Sequence, residues 1–228
     1  MNKKLEEKIE AVHNMSIEKL CEKFNCTPEE ICLGDYIARE TNDTVCPFKV
    51  ILGFANFECS NVIDLGPLEV VYGRKRVENG VPARDINGNI CYSGINLRNS
   101  KIVNLGKLRK VYGSFSLNDK IQSLCDLEFL GSGLYLNKTQ IKTINKDLII
   151  DGILNAEFCM LESLGAIKKV KHLNLNTKYL KSFGNLEVCF KVTFGSECNK
   201  KLIQLFNNKF TKQNGMFVRN DLITSIEE

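Results

Sequence analysis

Apolar residues recur along the middle of this chain at two rhythms at once. Over short stretches they alternate with polar ones, as in Ala55 and Phe57, Ile95 and Leu97, Phe115 and Leu117, Leu134 and Leu136, Leu154 and Ala156, Leu173 and Leu175, and Val192 and Phe194. Alternation of this kind predicts strands with one face buried. Over longer stretches a leucine-like anchor returns at Leu105, Leu124, Ile144, Leu164 and Phe183, at intervals of 19 or 20 residues. Three residues before each anchor stands another apolar residue: Ile102, Ile121, Ile141, Leu161 and Leu180. Two more follow three and six residues on in most coils, such as Leu108 with Val111 and Ile167 with Val170. A fixed period near twenty is the signature of a solenoid, in which each coil buries its apolar face against its neighbours.

Leu65, with Val62, Leu68 and Val71 around it, begins the series forty residues before Leu105. Two periods fit that gap, so 73–92 is expected to hold a degenerate coil, with Val77 in the place of Leu97 and Cys91 in that of Val111. Asn79-Gly80, Pro82 and Asn87-Gly88 break it, predicting a loop that bulges from the stack. Arg74, Lys75, Arg76 and Arg84 make that loop a candidate binding element, with Arg74 and Arg76 foremost. Gly66, Gly106, Gly165 and Gly184 directly follow their anchors, where a chain turning a corner benefits from positive φ. Cys125 and Asn145 occupy that position in two other coils.

Aligned on the anchors, the coils read L-x-L-x-x-[ST]-x-I-x-x-L-G-x-L-x-x-V-x-G. This resembles the leucine-rich repeat over roughly 50–195. In that family an Asn or Cys at the bend supplies a buried hydrogen-bonding ladder; the same column here holds Ser60, Ser100, Thr139 and Cys159, with Lys120 and Lys178 in two other coils. Those lysines must turn outward or sit where the coil opens. A coil of about twenty residues is too short to carry a full helix on its outer wall, which is therefore expected to be extended or a single 3-10 turn. That makes the chain also similar to a receptor-L-type right-handed β-helix. The expected fold is mainly β with helical ends: a leucine-rich-repeat-like or right-handed β-solenoid of about seven to eight coils over 46–195.

Residues 1–45 do not follow the repeat and are expected to be a helical region, serving as a cap or a partner-binding module. Leu5, Ile9 and Val12 are spaced for one helical face, and Ile17, Leu20, Cys21 and Phe24 for another. Thr27, Pro28 and Glu30 form a capping-box pattern that predicts a second short helix after the one at 16–25. Such a pair could read DNA as a helix-turn-helix. Its charge argues otherwise, since 1–45 hold six Lys and Arg against ten Asp and Glu. Residues 196–228 are expected to be a helical cap and tail, with Leu202, Leu205 and Phe206 sealing the last coil and Met216, Phe217 and Val218 forming a short strand or fraying.

Composition narrows the functional classes. The whole chain carries a net charge of +4, so the basic excess lies beyond residue 45, with Lys107, Arg109, Lys110, Lys168, Lys169 and Lys171 forming a ridge on the outer wall. Ten cysteines without a C-x-x-C pair read as buried free thiols. With no signal-like apolar run and no membrane-length stretch, a cytoplasmic setting is expected. The two histidines, His13 and His172, stand apart in the sequence with no nucleophile pattern beside them, and no phosphate-binding glycine motif appears. No catalytic, metal or cofactor site is expected, and the chain is read as a non-enzyme. What remains is the outward row of the leading strands: Asn96, Ser116, Tyr135, Asn155, Asn174 and Thr193, with Arg98, Asn118, Asn137, Glu157 and Asn176 just beyond and His172 just before. In leucine-rich repeats the corresponding sheet commonly grips a partner. Asn96, Arg98, Ser116, Tyr135, Asn137, Asn155, His172 and Asn174 are thus the candidate contacts. The expected partner is another protein, in the sharper form an inhibitor's target of the kind a bacterial or phage effector would have. Nucleic acid or a ribonucleoprotein, met by the basic ridge or the helix pair, is the alternative. Neither a membrane nor a small molecule is expected.

Overall fold

The coils stack through two sheets of parallel strands into a β-solenoid of about eight turns with short helices at both ends. The structure, a computed structural model, describes residues 3–84, 90–144, 147–198 and 200–223; Asn145 and the Asn87-Gly88 turn lie outside them. The front sheet runs through Tyr36–Ile37, Ala55–Asn56, Tyr92–Asn96, Ser114–Ser116, Leu134–Tyr135, Ile153–Glu157, Lys169–Asn176 and Val188–Phe194. The back sheet comprises Ile31–Cys32, Val50–Ile51, Val70–Val71, Lys110–Val111, Phe129–Leu130 and Ile149–Ile150.

Register aligns the predicted inward residues into columns, which Tyr36 joins from outside the predicted set. Tyr36, Ala55, Ile95, Phe115, Leu134, Leu154, Leu173 and Val192 face one another across successive front strands. All but Val192 are buried, and Val192 packs against the same core from the last coil. The anchors Leu65, Leu105, Leu124, Ile144, Leu164 and Phe183 are buried with them. Gly66, Gly106, Gly165 and Gly184 all have φ between 53° and 58°, and Cys125 shares that conformation at 49°. Another recurring device precedes five of the corners. Asp64, Asn104, Ser123, Ser163 and Ser182 accept a hydrogen bond from the amide two residues on, holding the left-handed turn in place.

The buried polar column is real but not wholly where the consensus put it. Ser60, Ser100 and Thr139 are buried, as is Cys159. Where Lys120 and Lys178 were aligned, both lysines are exposed, and Asn118 and Thr177 turn inward instead. Asn118 donates to Ser100 Oγ (2.8 Å) and the Ile102 carbonyl (2.6 Å) while accepting from the amides of Lys120 and Ile121. Thr177 donates to the Cys159 carbonyl at 2.7 Å.

Three expectations are corrected. First, the solenoid begins within 1–45. The Val45–Asp64 bridge brings Cys46 level with Leu65, so buried Cys46 serves as the anchor of an earlier coil. Second, 73–92 is not a degenerate coil. Val70–Val71 pairs directly with Lys110–Val111, and Ala55–Asn56 with Ile95 and Asn96, so no coil intervenes. The segment leaves the stack as an antiparallel excursion whose Val77 is 61% exposed. Third, the capping box at Thr27 forms, with the Thr27 amide donating to Glu30 Oε2 at 2.8 Å, but Pro28–Glu30 makes a single 3-10 turn before the strand at Ile31. The second helix of the helix-turn-helix is therefore missing.

Two helices, α1 (Lys3–His13) and α2 (Ile17–Phe24), lie on the outer face of the back sheet. Leu5, Ile9, Val12 and Leu20 are buried there with Val50, Leu52, Val70, Tyr72 and Tyr112. Tyr72 and Tyr112 stack with centroids 4.6 Å apart. His13, exposed at the end of α1, places its ring nitrogens 2.9 Å from the Ile9 and Leu52 carbonyls, tying α1 to the sheet. At the other end α3 (Lys200–Lys209) buries Leu202 and Phe206 over the last coil. The strands Phe210–Gln213 and Met216–Arg219 then pair antiparallel, the second also with Val188 and Cys189. The short helix α4 (Asn220–Ile223) follows. Among the described residues no helix is long and apolar enough to cross a membrane.

Candidate functional site

The polar side chains between the buried front-sheet positions form one column in register: Asn56, Asn96, Ser116, Tyr135, Asn155, Asn174 and Thr193. Parallel pairing without register drift puts chemically similar groups one strand spacing apart, about 4.8 Å. The column is thus a ladder. Each member but Thr193 is half-buried, screened by its neighbours in the ladder, while Thr193 on the last strand of the column is exposed.

Two carboxylates organise this face. At the first, Asn96 Nδ2 donates to Glu58 Oε2 (3.1 Å) and Asn56 Oδ1 (3.2 Å), and Asn96 Oδ1 accepts from the Arg98 amide. At the second, Glu157 takes a hydrogen bond from Asn174 Nδ2 at 2.9 Å on one oxygen and lies 3.5 Å from Asn137 Nδ2 on the other. Between the two nodes stand Ser116 and Tyr135. The Tyr135 ring folds back over Gly133, where an added Cβ would come within 2.9 Å of it, so the glycine makes room for the ring to lie along the sheet. Close by, Asn137 Oδ1 and Asn155 Oδ1 are screened from solvent and accept no hydrogen bond.

His172 lies one row away, opposite Ile153 and Lys191, with Nε2 3.3 Å from Thr193 Oγ1. Burial, reinforced by Lys191, holds its pKa below the ordinary histidine value, which keeps the ring neutral. Asn176 is occupied otherwise, its Oδ1 accepting from the Glu197 amide. Thus Asn96, Ser116, Tyr135, Asn137, Asn155, His172 and Asn174 share one face, with Arg98 exposed at its rim.

Arg74 and Arg76 belong to the excursion, outside the ladder column. Arg74 is bound to Asp35, Lys75 to Glu10 on α1, and Arg76 to Glu78 at 2.9 Å. The basic ridge is partly neutralised in the same way, by Arg109 with Glu128 (2.6 Å) and Lys171 with Asp151 (2.7 Å). Sequence reading missed Glu58 and Asn56. Their signal was their position on either side of the inward Phe57, the same relation that Asn155 and Glu157 have to the inward Ala156. Among the described residues no group of three or more His, Cys, Asp or Glu side chains is placed to hold a metal ion. No family model matches the chain, and no curated protein or solved structure matches it either.

Proposed function

We propose that this is a non-enzymatic binding protein that grips another protein with its front sheet. The observation that carries the reading is the pair of screened, partnerless acceptors, Asn137 Oδ1 and Asn155 Oδ1, at the centre of the ladder beside Tyr135. An unsatisfied buried acceptor costs about 1–3 kcal/mol, and an incoming N–H donor recovers that cost. A partner strand or loop supplies such donors. Tyrosine adds a large contact surface with little side-chain freedom to lose. A rigid sheet of this kind suits an inhibitor that covers the working surface of its target. The carboxylate partners of Arg74, Lys75, Arg76 and Arg109 weigh against nucleic acid, which needs cations free to meet phosphates.

The test is affinity capture with the tagged full chain, followed by binding measurements on the recovered protein. Replacing Tyr135 and Asn155 together by Ala is expected to weaken binding at least about tenfold while Tm moves by no more than about 2 °C. Unchanged affinity in that variant, or recovery abolished by nuclease, sinks the reading.

A further inference from the structure

The back sheet is covered over only part of its length. Its outward column runs Val50, Val70, Lys110, Phe129 and Ile149, continuing at Lys169 and Val188 in the long strands. The helices α1 and α2 pack over the Val50 and Val70 end, and α1 reaches as far as Leu5, which lies over Gly131. Beyond Leu5 the helical layer stops. A cleft of ≈ 430 Å³ opens there between α1 and the later coils, lined by Leu5, Phe129 and Ile149 on its floor and by Lys4, Lys8 and Lys169 among its walls.

The groove is built differently from the rest of the surface. Ile149 is 61% exposed although it continues a column whose first members, Val50 and Val70, are buried, and Phe190, 42% exposed, extends the apolar surface under the Lys169 ammonium. Its cations come from two separate elements, the open side of α1 and the long strand Lys169–Asn176. Asp151, the acid within the groove, is already bound by Lys171. Apolar floor and cationic walls together ask for an occupant with an apolar stripe flanked by carboxylates.

We propose that this open half of the back sheet is a docking groove for an acidic amphipathic helix of a partner protein, which would extend the layer begun by α1 and α2. The apolar stripe would seat on Phe129 and Ile149, as Leu5 and Ile9 of α1 seat farther along the same face. Carboxylates on its flanks would meet Lys4, Lys8 and Lys169. The open coils span about 15 Å at strand spacing, which an α-helix covers with about ten residues. Nucleic acid fits less well, because aliphatic side chains dominate the floor. This surface is distinct from the front-sheet ladder, and the two readings stand or fall separately.

The probe is a fluorescein-labelled peptide of about 14 residues with Leu at i, i+3, i+4 and i+7 and Glu on the flanks, titrated with the full chain by anisotropy. Binding in the micromolar range is expected, weakened about tenfold or more by Ile149→Ala and by Lys169→Glu, with Tm held in both. The Tyr135→Ala/Asn155→Ala variant should bind the peptide normally. The same peptide with Lys in place of Glu, and a scrambled version without the stripe, should bind at least about tenfold more weakly. The proposal is overturned by absence of binding, by equal binding of either control peptide, or by affinity that survives both groove variants. It is also overturned if Ile149→Ala instead abolishes self-association in sedimentation, or binding to phosphatidylglycerol vesicles or single-stranded DNA, with the peptide ignored.

Discussion

Cys125 stands where four other coils place a glycine, and the space around each corner explains the exception. A Cβ on Gly165 would come 1.9 Å from the Ile144 carbonyl, and one on Gly184 2.2 Å from that of Gly165. At Gly106, one coil before Cys125, the nearest atom would be 3.5 Å away. Gly66 is crowded as well, with a Cβ there 2.7 Å from the Cys46 carbonyl, so the room for a side chain is local to the Gly106 corner. All ten cysteines are free thiols, and their surroundings separate them sharply. Burial pushes Cys46 and Cys189 up to about 12 and raises Cys159 as well, whereas Cys59 is exposed at a corner. The thiolate is the reactive form, so at about pH 8 iodoacetamide should label Cys59 in the native chain and reach Cys46, Cys159 and Cys189 only after unfolding. Mass mapping of the labelled peptides checks this. Early labelling of Cys46 would mean that the first coil opens on its own.

The excursion between Val71 and Tyr92 shows how far an element can depart from the repeat without disturbing it. Its hairpin, Val77–Glu78 paired with Val81–Pro82, is exposed throughout, and the Ala83 amide donates to the Arg76 carbonyl at 2.8 Å just behind the tip. Arg74, Lys75 and Tyr92 hold the base of the excursion to the stack and to α1. Replacing 77–82 by an Asn-Gly turn joining Arg76 to Ala83 should therefore change stability by less than about 0.5 kcal/mol in urea unfolding. A loss above about 2 kcal/mol would show that the hairpin supports the coils beneath it. The excursion was legible as turn-rich and basic. Its topology was not, because one degenerate coil and one inserted loop leave the same interval between Leu65 and Leu105. The Thr27 capping box was read correctly as a start signal, yet the apolar pattern after it belongs to a strand, and the strand won.

Across the whole molecule, stability passes from coil to coil, since each buries its core only against its neighbours. The last coil has no successor, and α3 takes that place. Phe206 stacks on Phe210 at 4.6 Å and meets Phe183, Phe194 and Phe217 edge-on, so one ring joins the anchor of the final coil to the closing hairpin. Phe206→Ala should cost about 3–5 kcal/mol. In hydrogen exchange the loss of protection should be greatest at Val188–Phe194 and decline toward the amino-terminal coils. Uniform loss of protection would instead indicate that the eight turns unfold as one cooperative unit.

The alternation of Ala55, Ile95, Phe115, Leu134, Leu154 and Leu173, and the return of the anchor, determine the strand faces, the period and the outward ladder from sequence alone. A parallel stack repeats one environment, so the same constraint is written into each coil locally. The amphipathic stripe of α3 is legible for the same reason. Only the tertiary structure decides that Val71 pairs with Val111, that Cys46 acts as an anchor and that Asn118 turns inward. It alone seats α1 on the back sheet and leaves Ile149 uncovered. Each of these depends on contacts between residues far apart in the chain, and such proximity leaves no periodic mark on the residues that make it.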